Sequence, residues 1–418
     1  MGTEWFKPRR YKHFDRPVCE AFAEKVMQPD FVERHAFTPL LHYFKKTRRY
    51  KKDKGKIEIK ERPIMYASHR DACIFSFYSA QLGKILDAFY QKNRLNDNVI
   101  AYRALKRANY DFSATAFQYA VAHAPCAILA FDVSGFFDNL DHYLLKTRLK
   151  RLLGLTSLPE DWYQILKVIT KFHYIKLSEL EAHTKFAAAL NTPGTGPIAT
   201  VAELKVAEIS FYQNEKATAG IPQGTPISAT MSNLYMVDFD LNVRDYCESI
   251  GALYRRYSDD ILIICPLDKA AEAEAKIGNL ISAEKLELSA NKTETTFFDP
   301  GSTALHSARS AQYLGFSYYP GGAGIRPSSL SRQWRKLRRS LKKTRKVAEA
   351  AILSGVAKKV YTKKLRRKFS PLQFRNFSSY ARRSAAAFGA GEKITEQVKR
   401  IERRFEREVR DLEKINAK

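Results

Sequence analysis

The chain has 418 residues, 45% hydrophobic and 12% aromatic, with 71 Lys and Arg against 44 Asp and Glu, a net charge of +27. That apolar content suffices for a buried core, so the charge does not signal intrinsic disorder. No run of about 18 apolar residues occurs, which excludes a membrane-spanning helix.

Residues 1–17 lack the apolar segment of a secretory signal, and Phe6 stands where a myristoylation signal at Gly2 wants Ser or Thr. Cysteines 19, 73, 126, 247 and 265 show no C-x-x-C spacing and mostly lie in apolar runs. They read as buried reduced thiols of a cytoplasmic protein, neither a disulfide framework nor a zinc site.

In chain order, residues 1–55 form a basic and aromatic extension that ends in Lys45-Lys-Thr-Arg-Arg-Tyr-Lys-Lys-Asp-Lys. Such interleaving suits single-stranded RNA through phosphate contacts and stacking, and it equally suits an N-terminal helix packed on the next unit. The apolar strand from Cys126 runs into Asp132, followed by Phe136, Phe137 and Asp138 and then by a helix with Leu144, Leu145, Leu149 and Leu152 on one face. About residues 176–218 lies an extra stretch with a Gly/Pro-rich loop at 190–198, open to three readings: an RNA clamp, an oligomer contact or a surface elaboration. Gly220-Ile-Pro-Gln223-Gly224-Thr-Pro226-Ile-Ser228 then opens a long helix. Two apolar strands around Tyr257-Ser258-Asp259-Asp260 predict a hairpin with Ser258 and Asp259 in its turn.

Adjacent carboxylates on a tight turn repel each other unless cations sit there. With Asp132 as a third acid, the set predicts a site for two divalent metals roughly 3.5–4 Å apart, and oxygen ligands favour magnesium over zinc.

From Ser331 to Lys418 there are 28 Lys and Arg against 8 Asp and Glu, a net of +20. A nucleic acid is the partner favoured by such a surface, ahead of an acidic membrane. Leu330, Trp334, Leu337, Leu341, Ala348 and Ile352 predict one helix, with Pro327 near its first turn. A second is expected after Ser370 with Phe374, Phe377, Ala381 and Phe388, and a third with Ile394, Val398, Ile401, Phe405, Val409 and Leu412. The expectation is a compact three-helix bundle that grips a nucleic-acid backbone.

In these motifs the chain resembles the reverse transcriptases. Asp132 with Phe136-Phe137-Asp138 looks like the first palm motif, Pro222-Gln223-Gly224 the second, and Tyr257-Ser258-Asp259-Asp260 the Tyr-x-Asp-Asp signature. Asn291-Lys292-Thr293 is similar to the next motif, Tyr313-Leu314-Gly315-Phe316 to the primer-grip hairpin, and Glu61-Arg62-Pro63-Ile64 with Arg70-Asp71 to the fingers motif.

The resemblance implies a right-hand polymerase of α/β class: fingers at 56–125, a palm with an antiparallel sheet at 126–318, and a basic α-helical thumb at 319–418. It implies catalysis by Asp132, Asp259 and Asp260, with Val133 joining them around two Mg2+ ions that Mn2+ can replace. Arg62, Arg70, Gln223, Gly224 and Lys292 would contact the nucleotide, with Lys56 as a helper. Phe137 would sit under the sugar as a steric gate against a 2′-hydroxyl. Arg62 as a surface partner of Glu58 or Glu61 stays open. Tyr257, Ser258, Leu314, Gly315, Arg335, Arg338, Arg339, Lys342 and Arg345 would contact nucleic acid.

Within the family, the Gln-Gly-Thr-Pro-Ile-Ser style of second motif and Asn98-Val-Ile-Ala-Tyr102-Arg103 resemble bacterial defence-associated enzymes, formerly the unknown groups, and the compact architecture is similar to that of the type 2 systems. That implies copying of a structured non-coding RNA into DNA from deoxynucleoside triphosphates, in antiphage defence, with no membrane partner and the oligomeric state open. Retron and group II intron enzymes are more distant alternatives. A catalytically idle RNA-binding scaffold and an RNA-dependent RNA polymerase are the other two.

Overall fold

The computed structural model describes residues 2–51, 55–289, 293–299, 310–319, 321–370, 376–389 and 391–415. Two short helices, α1 (Glu20–Val26) and α2 (Pro29–Glu33), lead into a long hairpin of β1 (Leu40–Lys51) and β2 (Lys56–Tyr66). The register runs from Leu41 opposite Tyr66 to Lys51 opposite Lys56. The expected boundary at residue 55 therefore cuts a single hairpin, and the described part of the basic run, Lys45 to Lys51, is strand, not helix. Its outer half exposes Phe44, Tyr50, Ile57 and Ile59. Helix α3 (His69–Lys92) follows, capped by the Ser68 side chain. Helix α4 (Asn109–Ala122) comes next and leads to the palm.

The palm strand β3 (Cys126–Asp132) is followed by α5 (His142–Leu153) and α6 (Glu160–Thr170). Strand β4 (His173–Lys176) then leads into the inserted stretch, which forms α7 (Leu177–Ala182), α8 (Thr184–Asn191), α9 (Val201–Val206) and β5 (Tyr212–Gln213). It is not an appendage: β4 pairs with β1 and β5 with β4, giving one sheet ordered β2-β1-β4-β5. Leu180, Phe186, Ile198 and Leu204 of the insertion close a small core on Phe14 and Leu41.

Helices α10 (Ser228–Tyr235) and α11 (Val237–Ser249) precede the hairpin β6 (Leu253–Tyr257) and β7 (Asp260–Pro266), then α12 (Ala270–Ala283) and β8 (Glu294–Phe298). The palm sheet is ordered β6-β7-β3-β8 with antiparallel pairing throughout. Alternation assigns the two faces of its central strands to different cores. Ala127, Leu129, Phe131, Ile261 and Ile263 join the helices of the main core. Ile128, Leu262 and Ile264 join α4 and the sheet of β9 (Ala311–Tyr313), β10 (Phe316–Tyr319) and β11 (Gly322–Ile325). Burial on both faces explains why β3 and β7 read as unbroken apolar runs.

The thumb holds α13 (Pro327–Leu353), α14 (Lys363–Phe369), α15 (Phe377–Ala387) and α16 (Glu392–Glu413). Phe374 lies outside the described residues. The compact three-helix bundle is corrected in two ways. Helix α14 was not expected, and α15 packs with α4 and β10 on the palm side. The stripe of α16 serves both cores: Ile394 and Val398 face the palm side, while Phe405, Val409 and Leu412 pack with Leu337, Leu341, Leu365 and Phe369. Among the cysteines, Cys19 is exposed and the other four are buried.

Candidate active site

Strand β3 delivers Asp132 to its C-terminal end, directly opposite Asp260 on β7. The β6–β7 turn has two residues, with Ser258 at φ +61° and Tyr257 paired with Asp260. One residue beyond Asp132, the Val133 N–H donates to the Asp259 carbonyl at 3.2 Å, which ties the turn to the end of β3. By alternation, Asp132 and Asp260 share the face of Ile128 and Leu262, the side toward β9–β11 and α15.

Beneath the turn lies an ionic network absent from the sequence reading. Arg256 and Asp240 have fully buried side chains and form a bidentate pair, at 2.7 Å from Nε and 2.6 Å from Nη2. Arg256 also donates to the Ser258 carbonyl at 3.1 Å and to Asn233 Oδ1 of α10 at 3.2 Å. The Tyr254 hydroxyl donates to Asp240 at 2.5 Å. Burial opposes the Arg256 charge, but the Asp240 carboxylate prevails and raises its pKa. Burial, with Asp240 adding to it, pushes the Tyr254 phenol far up. The segment from Asn98 runs beside β6, and the Tyr102 hydroxyl donates to Ser258 Oγ at 3.0 Å. The signal for Arg256 was available: alternation puts it on the inward face with Tyr254, where a charged residue needs a buried partner.

After Asp132, Gly135 takes a left-handed conformation, and Phe136–Asp138 form a 3-10 turn. Burial raises the Asp138 pKa, with Lys216 opposing. The half-buried Phe137 accepts a bond from Ile221 N–H at 2.9 Å, and Leu140 accepts one from Gly220 N–H at 2.9 Å. The second-motif loop is thereby laid along the first. On its other side, Gln223 O accepts from Met65 N–H of β2 at 2.9 Å. Gly224 has φ +124°, and a Cβ there would lie 2.6 Å from Met65 O. Only glycine permits that approach. Ser228 Oγ closes the loop by donating to Pro222 O at 2.5 Å.

Arg62 is thus three residues from the point where β2 meets the loop. It is exposed and has no ion pair among the described residues, while Glu61 pairs with Lys46 at 3.0 Å. Lys56 lies six residues away, roughly 20 Å along the strand, so the two are not brought together. Arg70 is exposed in the first turn of α3, its backbone N–H held by Asp15 at 2.9 Å. Lys292 lies outside the described residues.

Leu314 and Gly315 form the turn between β9 and β10, both at positive φ. Tyr257 is half-buried, but Ser258 is 3% exposed and engaged by Tyr102. Its side chain therefore faces the protein, toward Tyr102. Arg335, Arg338, Arg339, Lys342 and Arg345 are all exposed on α13, and none makes an ion pair among the described residues. Among the described residues of the thumb, Arg366, Arg382, Arg404 and Lys414 make ion pairs instead.

Residues 51–318, well over half of the chain, match the family model described as reverse transcriptase (RNA-dependent DNA polymerase). The chain belongs to the reverse transcriptase family.

This reverse transcriptase is similar to the retron Ec86 reverse transcriptase of Escherichia coli, 31% identical over 74 residues. That match covers 18% of the chain and 23% of the retron protein. In structure it is similar to the apo telomerase of Candida tropicalis lacking its C-terminal domain, at a TM-score of 0.46 and 11% identity. There 70% of this chain and 56% of the telomerase are covered. Candida albicans telomerase, in a complex with a telomeric RNA fragment, gives 0.44 and 11%, over 92% and 58%. The reverse transcriptase chain thus spans little more than half the length of these telomerases, and under a quarter of the retron protein.

Reverse transcriptase domains use divalent metal ions. Among the described residues of this reverse transcriptase, no three His, Cys, Asp or Glu side chains form a group that could hold a metal ion. What the fold supplies is the register that sets Asp132 beside Asp260 and the bond that holds Asp259 next to Val133. A set of carboxylates suits a hard divalent cation.

Proposed function

We propose that this chain is an RNA-directed DNA polymerase that adds deoxynucleotides to a primer 3′-hydroxyl on an RNA template. The observation that carries the reading is the placement of Asp132 opposite Asp260, with Asp259 tied beside Val133, on the palm face toward the primer-grip turn. In this reading Asp132, Asp259 and Asp260 would hold two Mg2+ ions, replaceable by Mn2+, with Val133 beside them. When bound, the ions lower the pKa of the attacking hydroxyl and neutralise charge on the leaving pyrophosphate.

The chain's own residues position the reactants. Arg62 and Arg70 meet the triphosphate through charge-assisted bonds, and Lys292 neutralises the departing pyrophosphate. Gln223 and Gly224 form the surface under the incoming nucleotide, and the Phe137 ring excludes a 2′-hydroxyl. Tyr257, Leu314 and Gly315 meet the primer–template, and the five bases of α13 grip its phosphates.

The template is read as a structured non-coding RNA and the role as bacterial antiphage defence in the cytoplasm. The resemblance of the second motif and of the Asn98–Arg103 segment to defence-associated enzymes supports this, as does similarity to a retron enzyme. No helix among the described residues is long and apolar enough to cross a membrane.

Primer extension on an RNA template with Mg2+ tests the reading. Deoxynucleotides are incorporated by the native chain and not by the variant Asp259→Ala/Asp260→Ala. Incorporation that survives both substitutions sinks the assignment of the carboxylates.

A further inference from the structure

A cavity of about 580 Å3, with none of the three carboxylates in its lining, opens on the palm between α5, α6 and the segment just before the second-motif loop. Tyr143 and Lys146 line it from α5, Tyr163 and Lys167 from α6, Lys171 from just past α6, and Lys285 from beyond α12. These residues fall on single helical faces, at spacings of three on α5 and four on α6.

The charge in this cavity is one-sided. Asp141 is its acid, and it is already committed: it accepts from Lys285 Nζ at 2.8 Å and caps α5 through Leu144 N–H at 2.9 Å. Among the described residues, Lys146, Lys167 and Lys171 have no carboxylate partner. Tyr143 is 73% and Tyr163 43% exposed, and the Lys146 ammonium sits 5.6 Å from the Tyr163 ring centroid. Three unneutralised cations beside two open aromatic rings form a surface for an anion that also carries a stacking face.

The layout distinguishes a strand from a single nucleotide. From Tyr163 through Lys167 to Lys171 a row of one ring and two ammoniums advances about 12 Å along the direction of α6, which suits a base and the successive phosphates of one strand better than one compact triphosphate. Lysines act as point charges without the forked geometry of arginine, which suits contacts along a phosphate backbone.

The cavity is also joined to the candidate active site. Phe137, Leu140 and His142 pair in turn with Ile221, Gly220 and Thr218, and His142 and Thr218 form part of the cavity wall. His142 is five positions after Phe137, a span of at most about 18 Å. A strand leaving the nucleotide site reaches the lysines within a few nucleotides.

We propose that this cavity is a second RNA site, which holds a single-stranded stretch of the template outside the catalytic cleft, with phosphates on Lys146, Lys167 and Lys171 and bases against Tyr143 and Tyr163. The inference rests on the reading that the chain copies RNA.

The test uses the full chain and two primer–template duplexes, one with a single-nucleotide RNA overhang and one with a long oligouridine overhang. Replacing the three lysines with Ala lowers affinity for the long overhang at least tenfold and reduces its log–log salt slope by about 2, at about 0.7 per phosphate. Affinity for the short overhang stays as it is. Tyr143→Ala with Tyr163→Ala also weakens the long overhang about tenfold or more, but leaves the salt slope unchanged. A 4-thiouridine in the long overhang crosslinks to the peptide that carries residues 143–171.

An unchanged salt slope in the triple variant overturns the inference, as does equal weakening on both duplexes. Displacement of the crosslink by free deoxynucleoside triphosphate also overturns it, marking a nucleotide site. Extension of the primer by the native chain is scored separately. Its absence removes the polymerase reading, whereas intact extension with an unchanged slope removes the cavity assignment alone.

Discussion

Arg256 holds Asp240 with two bonds of 2.7 and 2.6 Å at zero exposure, and with its remaining nitrogen it holds the Ser258 carbonyl in the turn that carries Asp259. The pair thus links α11 in the palm core to the hairpin that presents two of the three acids. Two ions withdrawn from water contribute little net stability, but leaving one of them alone costs about 3–5 kcal/mol.

Arg256→Met alone is therefore expected to lower the melting temperature strongly, because it strands the Asp240 carboxylate. Arg256→Met with Asp240→Leu removes both charges and recovers most of that loss. The double variant still lacks the donor to the Ser258 carbonyl, so kcat for primer extension stays low with KM for the nucleotide little changed. Thermal melts beside steady-state kinetics separate the two effects. Recovery of full kcat by the double variant excludes a positioning role.

Gly224→Ala is the corresponding change in the second-motif loop. The added methyl would stand 2.6 Å from Met65 O at a φ of +124°, so the loop must part from β2. Strain of this kind costs on the order of 1–3 kcal/mol. The expected outcome is a raised KM for deoxynucleotides, because Gln223 and Arg62 lose their common anchor at Met65. Steady-state titration of each nucleotide measures it.

Phe137 is fixed from below by its carbonyl bond to Ile221 N–H, leaving its half-buried ring as the variable part. Phe137→Ala is expected to raise ribonucleotide use relative to deoxynucleotide use by at least tenfold in kcat/KM, with little loss of stability. Parallel extension assays with the two nucleotide sets decide it, and an unchanged ratio rejects the gate.

Acid sensitivity is expected at the N-terminal junction. Burial is the main cause that lowers the His13 pKa to about 4, against the opposing pull of Asp15 and Asp71. Its Nδ1 accepts from Phe14 N–H at 2.8 Å, while Nε2 faces Tyr66 O at 3.2 Å, so a second proton has no acceptor. The unfolded chain takes up that proton below about 6.5. Stability from neutral His13 is complete above that pH and is lost as pH falls toward 4, on the order of 2–3 kcal/mol. His13→Asn keeps an acceptor for Phe14 without titrating, so its melting temperature should vary less between pH 7 and 4.5.

The parts legible in the sequence are those where one physical rule dominates. Strands β3 and β7 read as strands because both faces are buried, and the stripe of α16 reads as helix because every third or fourth residue is. The β1–β2 hairpin was hidden because its outer half packs on neither face, so Lys45, Arg48 and Tyr50 carry no alternation to read. Helix α14 was hidden because Leu365 and Phe369 are its buried residues and Arg366 anchors it through Glu406 and Glu413 of α16. The Arg256–Asp240 pair is a tertiary fact: the two residues lie sixteen apart on β6 and α11, and only the fold brings them together.

The thumb provides a test of the charge itself. Arg335, Arg338, Arg339, Lys342 and Arg345 have no acidic partner among the described residues, so their neutralisation by a nucleic acid releases counterions without first breaking ion pairs. Changing all five to Gln should reduce the log–log salt slope of duplex affinity by up to about 4, at 0.7–0.9 per phosphate. Gln keeps the helix, and the buried Leu337 and Leu341 are untouched, so the melting temperature should hold. Arg366→Gln provides the contrast. It breaks the pairs with Glu406 and Glu413 that join α14 to α16, and should lower stability while leaving the salt slope nearly as it was. If the five-residue variant keeps the native slope, the duplex does not lie on α13.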